Sequence, residues 1–412
     1  MLQHVVVGHK SLSDYTHIVG RQLVDEIRSL ADGLEGQRVL HLSATAFGGG
    51  VAEILYALVP LMNDVGLHCE WHVMLGREEF FNVTKRLHNA LQGDPDAPTS
   101  DEWDIYRRYN QLNADELAGD WDIVIVHDPQ PAGVRNFVPD KARRWIWQCH
   151  IDLSEPNAAA LAPLLPLVAD YDAAVFHIDR YVPEELRSRP ERPVYVSPPA
   201  IDPLSPKNMR LSPEDAAFVC EQFGIDVDRP LMCQVSRFDP WKDPIGVIDA
   251  YRQVRTEIPD VQLALVGSMA TDDPEGWEFY NRTVAYAGDD PDIHILNNPN
   301  NVGAIEVNAF QSQADVLIQK STREGFGLTV SEGLWKARPM VAGNVGGIPL
   351  QVIDGRTGFL VNSPEECAER CLRILRDPAL GRRLGLAGKE HVRANFLMPR
   401  VLRDWLRIFK QA

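Results

Sequence analysis

The pattern of apolar and polar positions changes repeatedly between two periods along the chain. Short, continuous apolar runs of strand length are separated by longer stretches in which apolar residues recur at helical spacing. Continuous apolar strands between helices are typical of parallel sheets that are covered on both faces. In the first half, the predicted strands are residues 38–42, 68–74, 122–126, 145–149, 173–177 and 194–196.

A proline cluster interrupts this alternation near the middle of the chain. Pro198, Pro199 and Pro203 lie within six residues, and such a cluster continues neither a helix nor a central strand. Because 412 residues also exceed the usual size of one hydrophobic core, we predict two doubly wound α/β domains. The second half is predicted to hold strands at 231–235, 262–266, 292–296, 315–319 and 339–342, a helix at 244–255 and a helical tail at 379–409.

The composition limits the partners that this chain can bind. Its 58 acidic and 41 basic side chains give a net charge of −17, which repels phosphate backbones and anionic lipids. We therefore expect neither nucleic acid nor a membrane as a partner, and any site for an anion must be built locally. The six cysteines lack metal-ligand spacing, and neither a leader sequence nor a membrane-spanning run is recognisable. These features predict a cytoplasmic enzyme.

The segment 320–333, with the sequence KSTREGFGLTVSEG, follows a predicted strand and opens a helix. Its glycines let the backbone approach a ligand closely, and the N–H groups at a helix start favour an anion. Glu324 precedes the turn and Glu332 lies on the helix, so these carboxylates could bind a sugar and a ribose at opposite ends of one ligand. The other interpretation is a glycine turn with two solvated glutamates, and spacing alone leaves both open.

The segment 235–243, VSRFDPWKD, ends the first predicted strand of the second domain. Arg237 and Lys242 lie five residues apart across a proline-containing turn, where two cations could hold a diphosphate and stabilise it as a leaving group. The alternative is that both cations are surface residues paired with Asp239 and Asp243.

Further candidates end strands of the first domain. Three glycines, residues 48–50, lie between a strand and a helix, where they either contact a ligand or simply permit a tight turn. Asp128, His150 and Asp152 follow two other strands, in the segments HDPQ and HID. A histidine at such a place can bind sugar hydroxyls or stabilise developing charge, although the residues alone favour a structural histidine.

Taken together, these segments resemble the large retaining glycosyltransferase family that includes glycogen synthases, sucrose synthases and trehalose-forming enzymes. The family motif E-x7-E is met by Glu324 and Glu332, and SRFDPWKD matches the family's diphosphate-binding arginine and lysine. The resemblance covers nearly the whole chain. It implies the GT-B arrangement, in which two Rossmann-like doubly wound domains face each other across a cleft. We expect an acceptor-side domain at 1–200, a donor-binding domain at 201–390 and a helix at 391–412 that returns to the first domain.

The segments HLSATAFGGGVAEIL, HDPQP, WQCHIDLSEPN and DVLIQKSTREGFGLTVSEGLWKARPMVAGNVGGI are most similar to the trehalose-forming branch. The resemblance implies catalytic roles for Arg237, Lys242, Glu324 and His150. Asp128 and Asp152 are implied to bind acceptor sugar hydroxyls. The residues implied to bind the donor are Gly49, Gly50, Gly325, Phe326, Gly327, Leu328, Thr329 and Glu332.

The resemblance further implies a donor of the NDP-glucose type (UDP-, ADP- or GDP-glucose) and a glucose acceptor, with retention of the anomeric configuration and a reversible reaction. We expect no obligatory metal or other cofactor, with Mg²⁺ as a stimulator at most, because no DxD motif suits a metal–diphosphate clamp. The alternatives are a retaining trehalose phosphorylase, an epimerase-like sugar-nucleotide enzyme and a non-catalytic module that binds nucleotide sugars. The base of the donor and the oligomeric state, including a homodimer, stay open.

Overall fold

The computed structural model describes residues 2–47, 49–189, 191–267 and 274–411. Its chain divides into two compact units, one formed by residues 1–199 together with 398–412 and the other by residues 200–397. Each unit contains one sheet with helices in its connections. No helix in the described ranges combines the length and apolar character needed to span a bilayer.

The first unit contains a 7-stranded sheet in the order β1-β3-β2-β4-β5-β6-β7, in which only the short edge strand β1 runs antiparallel. Without β1, the strand order corresponds to 2-1-3-4-5-6, the doubly wound arrangement of flavodoxin-like folds. The strands are β1 (Gln3–His4), β2 (Arg38–Ser43), β3 (His68–Val73), β4 (Trp121–His127), β5 (Ala142–Cys149), β6 (Ala173–Phe176) and β7 (Val194–Val196).

The second unit contains a 6-stranded, wholly parallel sheet in the order β10-β9-β8-β11-β12-β13. Numbered within the unit, this is the order 3-2-1-4-5-6 of the Rossmann fold. The strands are β8 (Leu231–Val235), β9 (Gln262–Gly267), β10 (Ile293–Asn297), β11 (Val316–Gln319), β12 (Met340–Gly343) and β13 (Phe359–Val361).

The helices fill the connections between the strands. They are α1 (Thr16–Val19), α2 (Arg21–Ala31), α3 (Gly50–Asp64), α4 (Glu78–Leu91), α5 (Ser100–Asp115), α6 (Ala158–Val168), α7 (Glu184–Arg187), α8 (Pro213–Gln222), α9 (Pro244–Arg255), α10 (Pro274–Ala287), α11 (Ala304–Gln313), α12 (Leu328–Trp335), α13 (Ile348–Gln351), α14 (Pro364–Arg376), α15 (Pro378–Asn395) and α16 (Met398–Gln411). Short 3₁₀ turns lie at Leu12–Tyr15, Val134–Asn136, Pro139–Lys141, Asp179–Tyr181, Pro240–Lys242 and Asn298–Asn300.

The tail that was predicted to be helical from 379 to 409 holds two helices, α15 and α16, with a break at Phe396 and Leu397. Pro399 fits a break at this point, because proline lacks the N–H donor that a helix interior needs but is tolerated in the first turn of a helix. Helix α16 belongs to the first unit, where it packs on α2 and α3. Trp405 and Leu406 of this helix are fully buried.

Both sheets are enclosed by apolar side chains, as the continuous apolar strands predicted. The first core is rich in large aromatic residues, among them the fully buried Trp145, Trp147 and Phe176. All six cysteines are buried free thiols. The structure therefore confirms two Rossmann-like α/β domains.

Candidate active site

Each sheet has a point at which its strand order reverses, and loops from the carboxyl ends of two neighbouring strands diverge there. In the second unit this point lies between β8 and β11, and in the first unit between β2 and β4. Open α/β sheets bind their ligands at such points. In the second unit, Arg237, Lys242 and Glu324 follow β8 and β11. In the first unit, Gly49, Gly50 and Asp128 follow β2 and β4, whereas His150 and Asp152 follow the neighbouring strand β5.

The loop after β8 is a compact turn built around Asp239. The Oδ1 atom of Asp239 accepts hydrogen bonds from the backbone N–H groups of Trp241 and Lys242, at 3.0 and 3.1 Å, and thereby fixes the 3₁₀ turn. The other carboxylate oxygen pairs with Arg237 at 3.1 Å, but the Arg237 side chain is still 64% exposed. Arg237 is consequently a cation that keeps access to a ligand.

Lys242 and Glu324 form an ion pair at the switch point of the second sheet. Lys242 Nζ lies 2.7 Å from Glu324 Oε2, and both side chains are largely buried, with 13% and 11% exposure. Ser321 donates a further hydrogen bond to the same oxygen at 3.1 Å. The pair joins the loop after β8 to the loop after β11, across 82 residues of sequence. Asp243 pairs with Lys320 and not with Lys242. Of the two pairings that the surface alternative requires, the structure therefore shows the one between Arg237 and Asp239.

The glycine turn after β11 holds Glu324 in place by backbone contacts. Gly327 adopts φ +82° and immediately precedes α12. Gly346 lies so close that a Cβ atom there would be 1.5 Å from the carbonyl oxygen of Glu324. The N–H of Gly347 donates to the carbonyl of Gly325 at 3.1 Å. The absence of side chains at these positions therefore permits the turn.

The other donor-binding candidates lie at the start of α12. Leu328 is the first residue of this helix, and the Thr329 hydroxyl donates to Gln319 Oε1 at 3.0 Å. Phe326 is buried, and its carbonyl accepts a hydrogen bond from Gln351 at 2.6 Å. The positive end of the helix dipole at this position favours an anionic ligand.

Glu332 is more enclosed than the sequence indicated. Its side chain is 1% exposed, and its two carboxylate oxygens contact Lys207 Nζ at 3.4 Å and Gln311 Nε2 at 3.2 Å. The neighbouring Lys336 donates to the backbone carbonyl of Glu332 at 3.3 Å, and burial lowers the pKa of Lys336 to about 7. Sequence reasoning missed Lys207 and Gln311, because neither lies in a recognisable motif and their approach to Glu332 depends on the fold.

In the first unit, the glycine loop precedes α3. Gly49 is the N-cap of α3 with φ +122°, and a Cβ atom at this position would meet no atom within 4 Å. Gly50 is the first residue of the helix. The space around Gly49 is compatible with close approach of a ligand, although Gly48 lies outside the described residues.

His150 lies in a row of four histidines at the ends of neighbouring strands. His41 Nδ1 contacts His127 Nε2 at 2.8 Å, His127 Nδ1 contacts His150 Nε2 at 2.9 Å, and His150 Nδ1 contacts His177 Nε2 at 2.9 Å. Burial lowers the pKa of each imidazole, to about 3 for His41 and His177 and well below the usual value for the other two. Both ring nitrogens of His150 are therefore engaged by other histidines.

Asp128 supports His150 through the backbone. Its carboxylate accepts the backbone N–H of His150 at 2.7 Å, and its own backbone has φ +66°. Burial raises the pKa of Asp128 to about 7, although the hydrogen bond from His150 opposes this shift. Asp152 instead accepts hydrogen bonds from the N–H and hydroxyl groups of Ser154, at 2.8 and 2.5 Å.

A group of three metal-ligating side chains lies apart from these candidates. His4, Glu70 and His72, on the edge strand β1 and its neighbour β3, bring one ligand atom each to within 4.8 Å of the others. None of the predicted site residues belongs to this group.

Comparison with known proteins agrees with the two-domain organisation. Residues 41–183 match the family model described as trehalose synthase, N-terminal domain, and residues 217–391 match that of glycosyl transferases group 1. The fold is similar to a solved structure described as trehalose-6-phosphate from E. coli bound with UDP-2-fluoro glucose, with a TM-score of 0.71, 16% identity and coverage of 91% of this chain and 99% of that one. The family models and the fold thus identify a glycosyltransferase with the GT-B fold.

Two relatives show which family of glycosyltransferases the chain belongs to. The trehalose synthase of Rubrobacter xylanophilus is 59% identical over 415 residues, which cover 99% of each protein. The trehalose phosphorylase of Pleurotus pulmonarius is 28% identical, over 92% of this chain and 58% of that protein. The chain belongs to the trehalose synthase family.

Proposed function

We propose that the chain forms trehalose by transferring glucose from a nucleoside diphosphate glucose to free glucose, reversibly and with retention of the anomeric configuration. Full-length similarity to a trehalose synthase supports the choice of product. The observation that carries the proposal in the structure is the Lys242–Glu324 pair at the switch point of the second sheet, because it combines a cation for a phosphate with a carboxylate for a sugar.

The diphosphate of the donor would be held by Arg237 and Lys242. The ammonium group of Lys242 carries three N–H donors and uses one on Glu324, so further donors can bind a phosphate oxygen. Arg237 supplies a planar guanidinium that suits two oxygens at once. Together the two cations would stabilise the negative charge that develops as the diphosphate leaves.

Glu324 would accept hydrogen bonds from hydroxyls of the transferred glucose, because its carboxylate lies beside the phosphate-binding candidate Lys242 at the switch point of the second sheet. The backbone of Gly325–Leu328 would contact the sugar and phosphates. Glu332 would bind the ribose, and its almost complete burial means that the side chains covering it must move when the nucleotide enters.

The first domain would bind the acceptor glucose. His150, Asp128 and Asp152 follow β4 and β5, are half-buried, and carry polar groups of the kind that bind sugar hydroxyls. Since both nitrogens of His150 already bind histidines, a sugar hydroxyl would have to replace one of these partners or contact another part of the residue. Gly49 and Gly50 would leave room for the substrates.

Retention would follow from attack of the acceptor hydroxyl on the same face from which the diphosphate leaves. The leaving phosphate oxygen would take the proton of that hydroxyl, while the side chains would orient both sugars and stabilise charge. No protein nucleophile is needed in this sequence of bond changes, in contrast to the two-carboxylate mechanism of retaining glycosidases. We further propose that no metal is obligatory and that the enzyme acts in the cytoplasm, where buried free thiols are usual.

The test is a product assay with the purified chain. UDP-, ADP- and GDP-glucose are each incubated with glucose, with Mg²⁺ or with a chelator, and the products are identified by NMR spectroscopy. We expect a disaccharide with two α-anomeric carbons from at least one donor, also in the presence of the chelator. Breakdown of trehalose by inorganic phosphate without any nucleotide would instead select the phosphorylase, the alternative that the relative from Pleurotus favours.

A further inference from the structure

The four hydrogen-bonded histidines connect four neighbouring strands of the first sheet. His41 lies in β2, His127 ends β4, and His150 and His177 follow β5 and β6 directly. In each of the three hydrogen bonds, Nδ1 of one ring faces Nε2 of the next. His41, His127 and His177 are buried, and His150 is the most exposed of the four. We call this set the histidine row.

The hydrogen bonding of the row allows only two arrangements of its protons. A neutral imidazole has one N–H and one lone pair. If His41 carries its proton on Nδ1, His127 must accept at Nε2 and carry its own proton on Nδ1, and the same condition passes to His150 and His177. Either all four rings are Nδ1–H or all four are Nε2–H. Any mixture places two lone pairs or two N–H groups face to face at 2.8 to 2.9 Å.

The surroundings keep the four rings neutral, which is the condition for each ring to have one N–H group and one lone pair. Burial favours the uncharged form of each ring, and the neighbouring histidines and Arg400 also lower pKa values within the row. The outer nitrogen of His41, Nε2, is buried and makes no hydrogen bond, so His41 does not exchange hydrogen bonds with solvent at that end.

We propose that the histidine row acts as one two-state unit in which His41, His127 and His177 are positioning residues that set the tautomer of His150. The functional part of this inference rests on the proposed function, in which the acceptor glucose binds near His150. A sugar hydroxyl that replaces His177 at Nδ1 of His150 can donate or accept a hydrogen bond, and it leaves the contacts from His150 through His127 to His41 in place. The tautomer shared by these three rings decides which of the two the hydroxyl does, so acceptor binding is coupled to His41.

NMR spectroscopy of protein labelled with ¹⁵N-histidine tests the two-state unit without any substrate. His391 calibrates the assay, because its Nε2 lies 2.8 Å from the carbonyl oxygen of Leu350 and must carry the proton. At pH 7.5 we expect His41, His127, His150 and His177 to show one common tautomer. Mixed tautomers, or a protonated imidazolium among the four, would overturn the proposal.

Kinetics test the coupling to the acceptor. His41→Phe removes one end of the histidine row but keeps a planar ring, and we expect the KM for glucose to rise about tenfold, the factor that corresponds to the loss of one hydrogen bond. The KM for the donor should change little. His294→Phe, at a half-buried histidine of β10, is the control and should leave both constants unchanged.

The two assays distinguish a failure of the proposal about the histidine row from a failure of the proposed function. If His41→Phe leaves the KM for glucose and the His150 resonances unchanged, the coupling is wrong. If the wild-type chain makes no trehalose, the proposed function fails, whereas the NMR result still decides whether the row shares a tautomer. A loss of folding in His41→Phe would leave the wild-type spectrum as the deciding measurement.

A second, independent observation concerns the edge of the same sheet. His4 and His72 are direct partners in the antiparallel pair of β1 and β3, and Glu70 lies two residues from His72 on the same face of β3. His72 Nε2 is 3.0 Å from Glu70 Oε2, and the ligand atoms of all three residues lie within 4.8 Å of one another. Two imidazoles and a carboxylate form a common ligand set for zinc.

We infer that His4, Glu70 and His72 bind a Zn²⁺ ion, with water as the fourth ligand, and so fasten β1 to β3. Ligand distances of about 2.0–2.2 Å require the three side chains to close around the ion. Isothermal titration with ZnCl₂ should show one site in the wild-type chain, lost in His4→Ala and Glu70→Gln. His68→Ala, at an exposed histidine at the start of β3, should keep it. Absence of binding by the wild type, or binding that survives both ligand substitutions, would overturn this inference.

Discussion

Replacement of Gly346 by alanine tests whether the position of Glu324 controls activity. The new Cβ atom would lie 1.5 Å from the carbonyl oxygen of Glu324. This oxygen belongs to the backbone, so no side-chain rotation can relieve the contact. Since ordinary van der Waals contact requires at least 3.4 Å, the loop that carries Glu324 must shift by about 2 Å. Gly355→Ala is a matched control, because Gly355 also has positive φ (+70°, against +54° at Gly346) but open space around it.

The magnitude follows from the two contributions. The left-handed backbone conformation costs an alanine about 1–2 kcal/mol in both variants. Overpacking at Gly346 adds about 1–3 kcal/mol. At about 2–4 °C per kcal/mol for a domain of this size, Gly346→Ala should melt roughly 2–12 °C below Gly355→Ala.

Activity should separate the two variants more clearly than stability. A displacement of about 1 Å in a positioning group can reduce catalysis about 100-fold. We therefore expect kcat/KM of Gly346→Ala to fall at least about 100-fold, and that of Gly355→Ala to stay within about threefold of the wild type. Trehalose formation is measured at a temperature at which circular dichroism shows both variants to be folded. Near-normal turnover by folded Gly346→Ala would show that the position of Glu324 does not control activity.

Three further predictions concern individual side chains. Lys242→Ala and Arg237→Ala should each lower kcat by about 100-fold or more. Arg107, which is as exposed as Arg237 and pairs with Asp104 in the first unit, provides the control: Arg107→Ala should leave kcat unchanged, and equal effects of the three substitutions would remove the diphosphate role. Glu332→Ala should raise the KM for the donor more than it lowers kcat, and an unchanged KM would contradict the ribose contact. Because the pKa of Asp128 is raised, the folded chain keeps a proton on this carboxyl over a pH range in which the unfolded chain has lost it. The free energy of unfolding should therefore decrease as the pH rises from about 4 to about 7. Asp128→Asn should remove this part of the pH dependence, and identical profiles from chemical denaturation would show that the pKa is not raised.

The fold could be predicted from sequence because strand and helix patterns are local. The helix at 244–255 and the strand at 231–235 were predicted with the bounds that the structure shows. The strands Gln3–His4 and Phe359–Val361 were not predicted, because two or three residues are too few to show a period. The break before Met398 was also missed, although Pro399 provided the chemical reason for it.

The site could be predicted only where its residues lie in motifs. Arg237, Lys242, Glu324 and the glycine turn stand in contiguous segments, whereas the contact between Lys242 and Glu324 spans 82 residues and depends on β8 and β11 being neighbours. Lys207 reaches Glu332 across an even longer stretch of chain.

The histidine row shows the same limit. His127 and His150 were recognised as polar residues at strand ends, but no role was predicted for His41 or His177. A polar residue within or directly after a buried strand was the available indication for both. Which histidines touch is set by strand order, and a single sequence does not reveal that order.

The most direct test of the central claim is identification of the sugar product made from NDP-glucose and ¹³C-labelled glucose. We expect a disaccharide in which the labelled glucose is joined through its anomeric carbon to a glucose from the donor, with both anomeric carbons in the α configuration. One nucleoside diphosphate should be released per disaccharide. A product with an inverted donor carbon, or release of nucleoside diphosphate without any disaccharide, would contradict the central claim.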